Sequence, residues 1–327
     1  YDYLVIATGS KTNYFGNESI TDHAFPLKQI PQALDLRSHI LQNFEAATIA
    51  ENNQEINSRM NIAIVGGGPT GVEVAGALGE LKKSVLPNDY PELDFGKMRI
   101  TLIEGTSKLL NGMSEKASER AIRYLKKFDV HIMLNTFVNS YDGHLVELSH
   151  GKNIHTHTLV WAAGVEGNYP DGLPGNSIVK GRLQVDPFNK VVNTDNINAV
   201  GDIASMISNE HPNGHPMLAP VAIQQGKNVA NNFKRMIKGK DPIAFEYNDK
   251  GSMATIGRNK AVVDLPGNIQ LGGLIAWIIW MFVHLISIIG SRIKLIVFSI
   301  WVWNYFTYDN GTRLIIRRFV PKSKRAA

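Results

Sequence analysis

At 327 residues, the chain has room for two domains or a little more. Its 44% hydrophobic and 19% charged content mark a globular protein and exclude a disordered one. The absence of cysteine excludes a disulfide framework, thiolate metal ligation and electron transfer through a redox-active cysteine pair. The net charge of +5 is modest but unevenly placed: no acid follows Asp309, while Arg313, Arg317, Arg318, Lys322, Lys324 and Arg325 do. Such a tail suits an anionic membrane surface or nucleic acid; with an apolar stretch before it the membrane is expected, and no nucleic-acid partner. No secretory signal is visible. The chain opens without Met at Tyr1-Asp2-Tyr3, already at a strand, so it is expected to lack its true N-terminus.

The first apolar run closes in the small-residue turn Ala7-Thr8-Gly9-Ser10 and reads as a buried strand. Residues 30–49 predict a helix, with Pro31 near its start and Leu34, Ile40, Leu41 and Phe44 available for one face. Residues 50–59 are polar and predict a connector.

The most informative stretch follows. Ile62–Val65 reads as a buried parallel strand running into Gly66-x-Gly68-x-x-Gly71 and a helix rich in small and apolar residues. Gly66 permits the tight turn, Gly68 lets a pyrophosphate approach the backbone, and Gly71 lets helix and strand pack closely. The helix N-terminus then offers unpaired N–H groups to the phosphates. A second strand, residues 98–103, ends in Glu104. An acid there accepts hydrogen bonds from both adenine-ribose hydroxyls and repels a 2′-phosphate, so the pattern predicts NADH rather than NADPH. Glu104 lies beyond the usual offset of about 20 residues; residues 82–97 read as an insertion that accounts for this.

Residues 114–128 predict an amphipathic helix burying Ala117, Ala121, Leu125 and Phe128. The runs 131–138, 144–148 and 154–160, with turns at Asp142-Gly143 and Gly151-Lys152, predict a meander ending at Trp161-Ala162-Ala163-Gly164-Val165. His155 and His157 would share a strand face there; with His150 they read as surface histidines, and no metal is expected. Residues 182–186 and 191–192 form a further strand and turn. A later strand ends in Gly201-Asp202, whose carboxylate suits sugar or ribityl hydroxyls. A helix over 221–238 follows, opened by Pro220 and carrying Ala222, Gln224, Gln225 and Gly226. Residues 241–263 are polar and strand-like. Beyond them, 271–289 is almost wholly apolar, Arg292 and Lys294 intervene, and 295–306 carries Trp301 and Trp303.

Residues 7–10, 66–73, Glu104, residues 161–165, Val200-Gly201-Asp202, residues 219–226, residues 251–258 and the aromatic, basic C-terminus together resemble type II NADH dehydrogenases. These are single-subunit, non-pumping NADH:quinone oxidoreductases, and the resemblance runs along nearly the whole chain. It implies an α/β fold with two Rossmann-like dinucleotide-binding domains, an FAD domain interrupted by an NADH domain, plus a C-terminal membrane-associating helical segment. The expected boundaries are 1–36 and 166–240 for the FAD domain, 37–165 for the NADH domain and 241–327 for the C-terminal domain. The implied cofactors are FAD and NADH. The implied partners are a membrane quinone and the bilayer surface, on the cytoplasmic face of the inner membrane, with a homodimer left open.

The resemblance also distributes roles among residues. Thr8, Gly9, Ala163, Gly164, Gly201, Asp202 and Ala222 would hold cofactor, and Gly66, Gly68, Gly71 and Glu104 the dinucleotide. Glu73 would be the catalytic carboxylate, and Gln224 and Gln225 would meet the quinone carbonyls. Two departures stand out. The glycine-rich FAD fingerprint expected upstream of residues 3–10 is absent, and the family's Ala-Gln pair before the glutamine helix is Ala219-Pro220 here.

Rival classes fare worse. Disulfide and sulfide:quinone reductases need cysteines, and a soluble ferredoxin reductase has no use for the apolar tail. A nucleotide-sensing module would not need Gly201-Asp202. Crossing a bilayer takes about 20 apolar residues, which 271–289 barely supplies and 295–306 does not. Trp277, Trp280, Trp301 and Trp303 favour the interface, so two in-plane segments are expected, with one transmembrane helix as the alternative.

Overall fold

Apolar four-residue strands need cover on both faces, and that requirement organises the larger of two units. The computed structural model describes residues 1–209, 211–307 and 319. They fall into one unit of residues 1–13 and 164–250, and a second of residues 14–163 with 251 onward. The first changeover therefore lies at Tyr14 and not at residue 36. The helix Ile30–Thr48 packs Leu36, Phe44 and Ala47 into the same core as Ile62 and Ile64. The C-terminal segment packs in the same unit as the glycine loop.

The larger unit is built on an all-parallel sheet in the order Phe25–Pro26, Thr158–Trp161, Ile62–Val65, Ile100–Ile103, Val130–Met133. Strand alternation divides the apolar side chains between two cores. Ile62, Ile64, Ile100, Leu102 and Val160 meet Val72 and Ala75 of the helix Pro69–Ser84 and Leu125 of Glu115–Lys127. Ala63, Val65, Ile103, Leu159 and Trp161 meet Tyr141, Val146 and Leu148 of the meander Val138–Tyr141, Leu145–Leu148, Asn153–His155. The run 154–160 is thus two strands and not one, with the second entering the parallel sheet. Between them, the Thr156 hydroxyl donates to the Asn61 carbonyl at 2.6 Å. His155 and His157 consequently share no strand face. The connector 50–59 also contains a helix, Asn53–Met60, capped by the Asn52 side chain accepting from the Glu55 N–H at 2.8 Å.

The strands Ser252–Thr255, Ala261–Leu265 and Ile269–Gly273 form an antiparallel sheet that covers the helix Pro69–Ser84. Contact is close: a Cβ on Gly76 would sit 2.9 Å from the Ile256 carbonyl carbon. Ser114 caps the Glu115–Lys127 helix by accepting from the Ala117 N–H at 3.2 Å, while its own hydroxyl donates to Asp264 at 2.9 Å. The apolar run 271–289 does not form one element, because Leu271 to Gly273 complete a strand. Gly273, at φ +73°, then turns the chain into the helix Leu274–Ser287, and Ser291–Thr307 follows. The first of these helices buries only Ala276, and the second buries nothing. No helix among the described residues is long and apolar enough to cross a membrane. The basic residues 313–325 lie outside the described residues.

In the smaller unit, Leu4–Ile6 pairs in parallel with Ile197–Ala199, and Arg182–Val185 in parallel with Ala204–Met206. Ser10–Thr12 pairs antiparallel with Val165–Gly167. Ile6, Leu183, Ala199, Ile203 and Val221 of the helix Ala219–Ile237 supply its core.

Under the sheet of the larger unit, His39 stacks on Phe25 at 4.3 Å and places Nε2 2.8 Å from the His157 carbonyl. Burial lowers His39 from 6.5 to about 4, and lowers His157 to about 4 with help from the charges of His144 and Arg59. In the unfolded chain both titrate near 6.5. The unfolded state therefore binds more protons between these values, and stability is complete above pH 6.5 and lost as pH falls toward 4. Calorimetry from about pH 7 to about pH 5 should show the melting midpoint dropping by several degrees. A variant carrying His39→Asn and His157→Asn should flatten that slope; an unchanged slope would assign it to other groups.

Candidate active site

At the carboxyl end of the parallel sheet, the chain passes from Ile62–Val65 outward through Ile100–Ile103 to Val130–Met133. Thr158–Trp161 lies on the opposite side of Ile62–Val65. The crevice for a ligand in such sheets opens where the strand order reverses, here beside Val65 and its neighbour Trp161. Gly66, at φ +110°, turns there so tightly that a Cβ would lie 2.5 Å from the Ala162 carbonyl oxygen. A Cβ on Gly71 would lie 1.8 Å from the Gly66 carbonyl oxygen, whereas one on Gly68 would meet nothing within 4 Å. Gly68 is the N-cap of Pro69–Ser84 and makes no side-chain capping bond. The loop thus combines two backbone contacts with an open step at a helix N-terminus, which is the form of a pyrophosphate cradle.

Glu104 is fixed beside this loop. Its Oε2 accepts from the Gly67 N–H at 2.5 Å, and its Oε1 accepts from the Thr106 N–H at 2.8 Å and hydroxyl at 2.7 Å. A carboxylate so held is oriented before any ribose arrives. Ala163 and Gly164 mark the place where the chain leaves one unit for the other.

Glu73 lies in the first turns of the same helix. Burial raises its pKa above 4.5, although the Thr255 N–H at 3.2 Å and the charge of His284 draw it down. It forms part of the wall of a cavity of about 420 Å³. The remaining wall includes Leu81, Trp277, Trp280, Trp301 and Tyr305, from the dinucleotide helix and the two C-terminal helices. Arg258 closes part of it, donating to the Asn304 carbonyl at 2.8 Å and lying 4.9 Å over the Tyr305 ring. Thr255 and Arg258 gave no individual signal in the sequence, because their roles arise only when the antiparallel sheet and the helices meet.

The smaller unit gathers its own predicted residues. Thr8 donates through its hydroxyl to the Asn168 carbonyl at 2.5 Å, and Gly9 adopts φ +71° with open space where a Cβ would be. The Ser10 hydroxyl donates to Asp202 at 2.6 Å, while Arg182 donates to the Asp202 carbonyl at 2.9 Å. Ser10 and Arg182 hold Asp202 in place, and sequence reading missed both. Gly201, at φ +79°, packs so closely on Ala222 that a Cβ would come within 3.0 Å of the Ala222 methyl.

The glutamines part company with the expectation of two quinone-facing amides. Gln225 is fully buried, and its Oε1 accepts from the Gly201 N–H at 2.7 Å. Its Nε2 is buried without a partner. Gln224 exchanges hydrogen bonds with the Asn248 backbone, at 3.0 Å in each direction. Gln225 is thus corrected from a substrate contact to a residue that supports the Gly201-Asp202 turn. The left-handed glycines, the held carboxylate and the orphaned amide fit a bound group carrying hydroxyls and acceptors, as FAD does.

Comparison with known proteins fits this geometry. Residues 1–226 match the family described as pyridine nucleotide-disulphide oxidoreductase, and residues 250–308 match the NDH2 C-terminal domain. The type II NADH:quinone oxidoreductase NdhA of Mycobacterium tuberculosis is 33% identical over 334 residues, covering 98% of this chain and 70% of that protein. The chain belongs to the type II NADH:quinone oxidoreductases, a family whose cofactors are FAD and NADH. The counterpart Ndh of the same organism is 34% identical, covering 95% of this chain and 68% of that protein. NDH2 from Plasmodium falciparum, solved in complex with NADH, superposes with a TM-score of 0.86 at 22% identity, covering 97% of this chain and 79% of that one. This likeness bears on the fold, including the C-terminal helices. The wider family's name invokes disulfide chemistry; the residues of this chain include no cysteine.

Proposed function

We propose that the protein passes a hydride from NADH to FAD and two electrons on to a membrane quinone, without moving protons across the membrane. It would work from the cytoplasmic face of the inner membrane, lying on the bilayer through its two C-terminal helices. One observation carries the reading: Glu73 belongs at once to the helix that opens the dinucleotide cradle and to the wall of the aromatic cavity formed with those helices. Bound FAD supplies the redox step between donor and quinone.

The chain's own residues do the rest. Gly66, Gly68, Gly71 and Glu104 hold the NADH, while Thr8, Gly9, Ala163, Gly164, Gly201, Asp202 and Ala222 hold the FAD. The positive end of the Ala219–Ile237 helix favours negative charge nearby. A quinone entering the cavity meets apolar walls and the Glu73 carboxyl. Reduction of a quinone to its hydroquinone by NADH consumes one proton beyond the hydride. A buried carboxyl with a raised pKa is suited to delivering it.

Glu73→Gln should leave flavin reduction by NADH within about threefold in stopped-flow absorbance, and slow reoxidation by quinone about a hundredfold. As an acid, Glu73 acts while protonated. The quinone half-reaction should therefore slow as pH rises through its raised pKa, and the variant should lose this limb. Equal loss in both halves would make Glu73 a support for dinucleotide or flavin and remove it from the quinone step.

A further inference from the structure

Two helices end side by side at Phe128. Pro69–Ser84 carries Lys82 and Lys83 in its last turn, and Glu115–Lys127 carries Lys126 and Lys127. Their packing is tight, since a Cβ on Gly79 would fall 2.6 Å from the Phe128 Cβ. The loop between Ser252–Thr255 and Ala261–Leu265 adds a further cation: Lys260 holds Nζ 4.4 Å from the Phe128 ring centre and 3.4 Å from the Arg258 carbonyl.

Nearby acids are already committed. Glu80 accepts from the Arg258 N–H at 3.0 Å and lies 3.9 Å from its guanidinium, while Asp129 takes Lys82 at 2.6 Å. Lys83, Lys127 and Lys260 make no ion pair with any described residue. They also sense one another: burial lowers the Lys260 pKa, Glu80 raises it, and Lys127 and Lys83 lower it further. Helix dipoles favour a basic residue at each helix end, but they do not call for the third from a loop.

The cluster adjoins the apolar helices. The Pro69–Ser84 helix that carries Lys83 also lines the aromatic cavity, through Ala77, Glu80 and Leu81, with Trp280 and Trp301 of the C-terminal helices. Arg258, whose carbonyl lies by Lys260, is bonded to Asn304 in the last helix. On those helices Phe282 is 62% exposed, Leu295 69% and Trp303 61%, an apolar face of the kind that lies in a bilayer surface.

We infer that Lys83, Lys127 and Lys260 bind the phosphate of an anionic phospholipid at the edge of this apolar face. The inference rests on the membrane-surface reading above. A bilayer is favoured over free phosphate because the neighbouring surface is apolar and aromatic, which a soluble anion would not need.

The test is flotation of the intact protein with vesicles of phosphatidylcholine alone or mixed with phosphatidylglycerol. Each basic residue near an anionic surface contributes about fivefold to partitioning. Lys83→Gln, Lys127→Gln and Lys260→Gln combined should therefore weaken binding to the mixed vesicles roughly a hundredfold, leaving binding to phosphatidylcholine unchanged. The same three changed to Arg should bind as wild type, which controls for folding. Lys152→Gln, on the meander across the sheet, should change nothing, and excess inorganic phosphate should not displace the protein. Undiminished binding by the triple Gln variant, or an equal loss with Lys152→Gln, would overturn the lipid site. Displacement by inorganic phosphate would overturn it in favour of a soluble anion. If wild type bound neither vesicle, the membrane-surface reading itself would fall.

Discussion

Gly71→Ala is expected to abolish the folded larger unit, whereas Gly68→Ala, three residues earlier, should fold and lose NADH. At Gly71 the new methyl would lie 1.8 Å from the Gly66 carbonyl oxygen, an atom fixed by the strand–turn junction. Relief requires the helix to lift from the sheet, and that opens the core shared by Val72, Ala75, Ile64 and Leu102. Backbone clashes of this kind cost more than about 4 kcal/mol, a large share of the roughly 5–15 kcal/mol that stabilises a domain. At Gly68 the backbone is extended and a methyl meets nothing within 4 Å, so the melting midpoint should stay within about 3 °C. The methyl would instead occupy the step where a pyrophosphate approaches, raising the KM for NADH at least about tenfold. Circular dichroism melts and steady-state kinetics on the two variants decide the matter. A stable Gly68→Ala protein with unchanged KM would move the dinucleotide elsewhere; a stable Gly71→Ala protein would mean that the junction is looser than described.

The same contrast explains what was legible in the sequence. Positions where one atom decides the backbone were readable: Gly66 and Gly71, and the Asp142-Gly143 turn, where Asp142 accepts from the His144 and Leu145 N–H groups. Each couples a residue type to a local geometry. Readings that depended on partners distant in sequence did less well. The run 154–160 looked continuous because nothing local announces that Thr156 bonds to Asn61 and that the strand after it joins a different sheet. The polar Asn53–Met60 helix has little apolar pattern, though Asn52 followed three residues later by Glu55 was an available capping signal. The changeover at Tyr14 was hidden because the Ile30–Thr48 helix could cover either unit by its pattern alone. The site divided likewise. Asp202 and Glu104 were visible as acids ending strands, but Ser10, Arg182, Thr255 and Arg258 enter only through contacts. Gln225 was misread because a glutamine in an amphipathic helix does not reveal which way its amide turns.

Glu104 governs the other large expected effect, the choice between NADH and NADPH. Its oxygens are held by Gly67 on one side and by Thr106 on the other, so the charge cannot swing away from an incoming adenine ribose without breaking these bonds. A ribose diol can donate to the carboxylate. A 2′-phosphate cannot, and each unit of its charge about 4 Å away would be repelled by about 4 kcal/mol at an effective dielectric of 20. Screening and relaxation reduce this, but a preference of at least about a hundredfold in kcat/KM should remain. Glu104→Ser removes the charge and both long acceptor arms while leaving a hydroxyl for either ligand. The preference should fall below about tenfold, mostly through poorer use of NADH and partly through new use of NADPH. Glu104→Gln separates the causes: it is uncharged but keeps an acceptor for the Gly67 N–H, so the loop should stay ordered while repulsion is lost. If wild type used both nucleotides equally, or if Glu104→Ser kept the full preference, discrimination would lie elsewhere and Glu104 would be only the brace of the glycine loop.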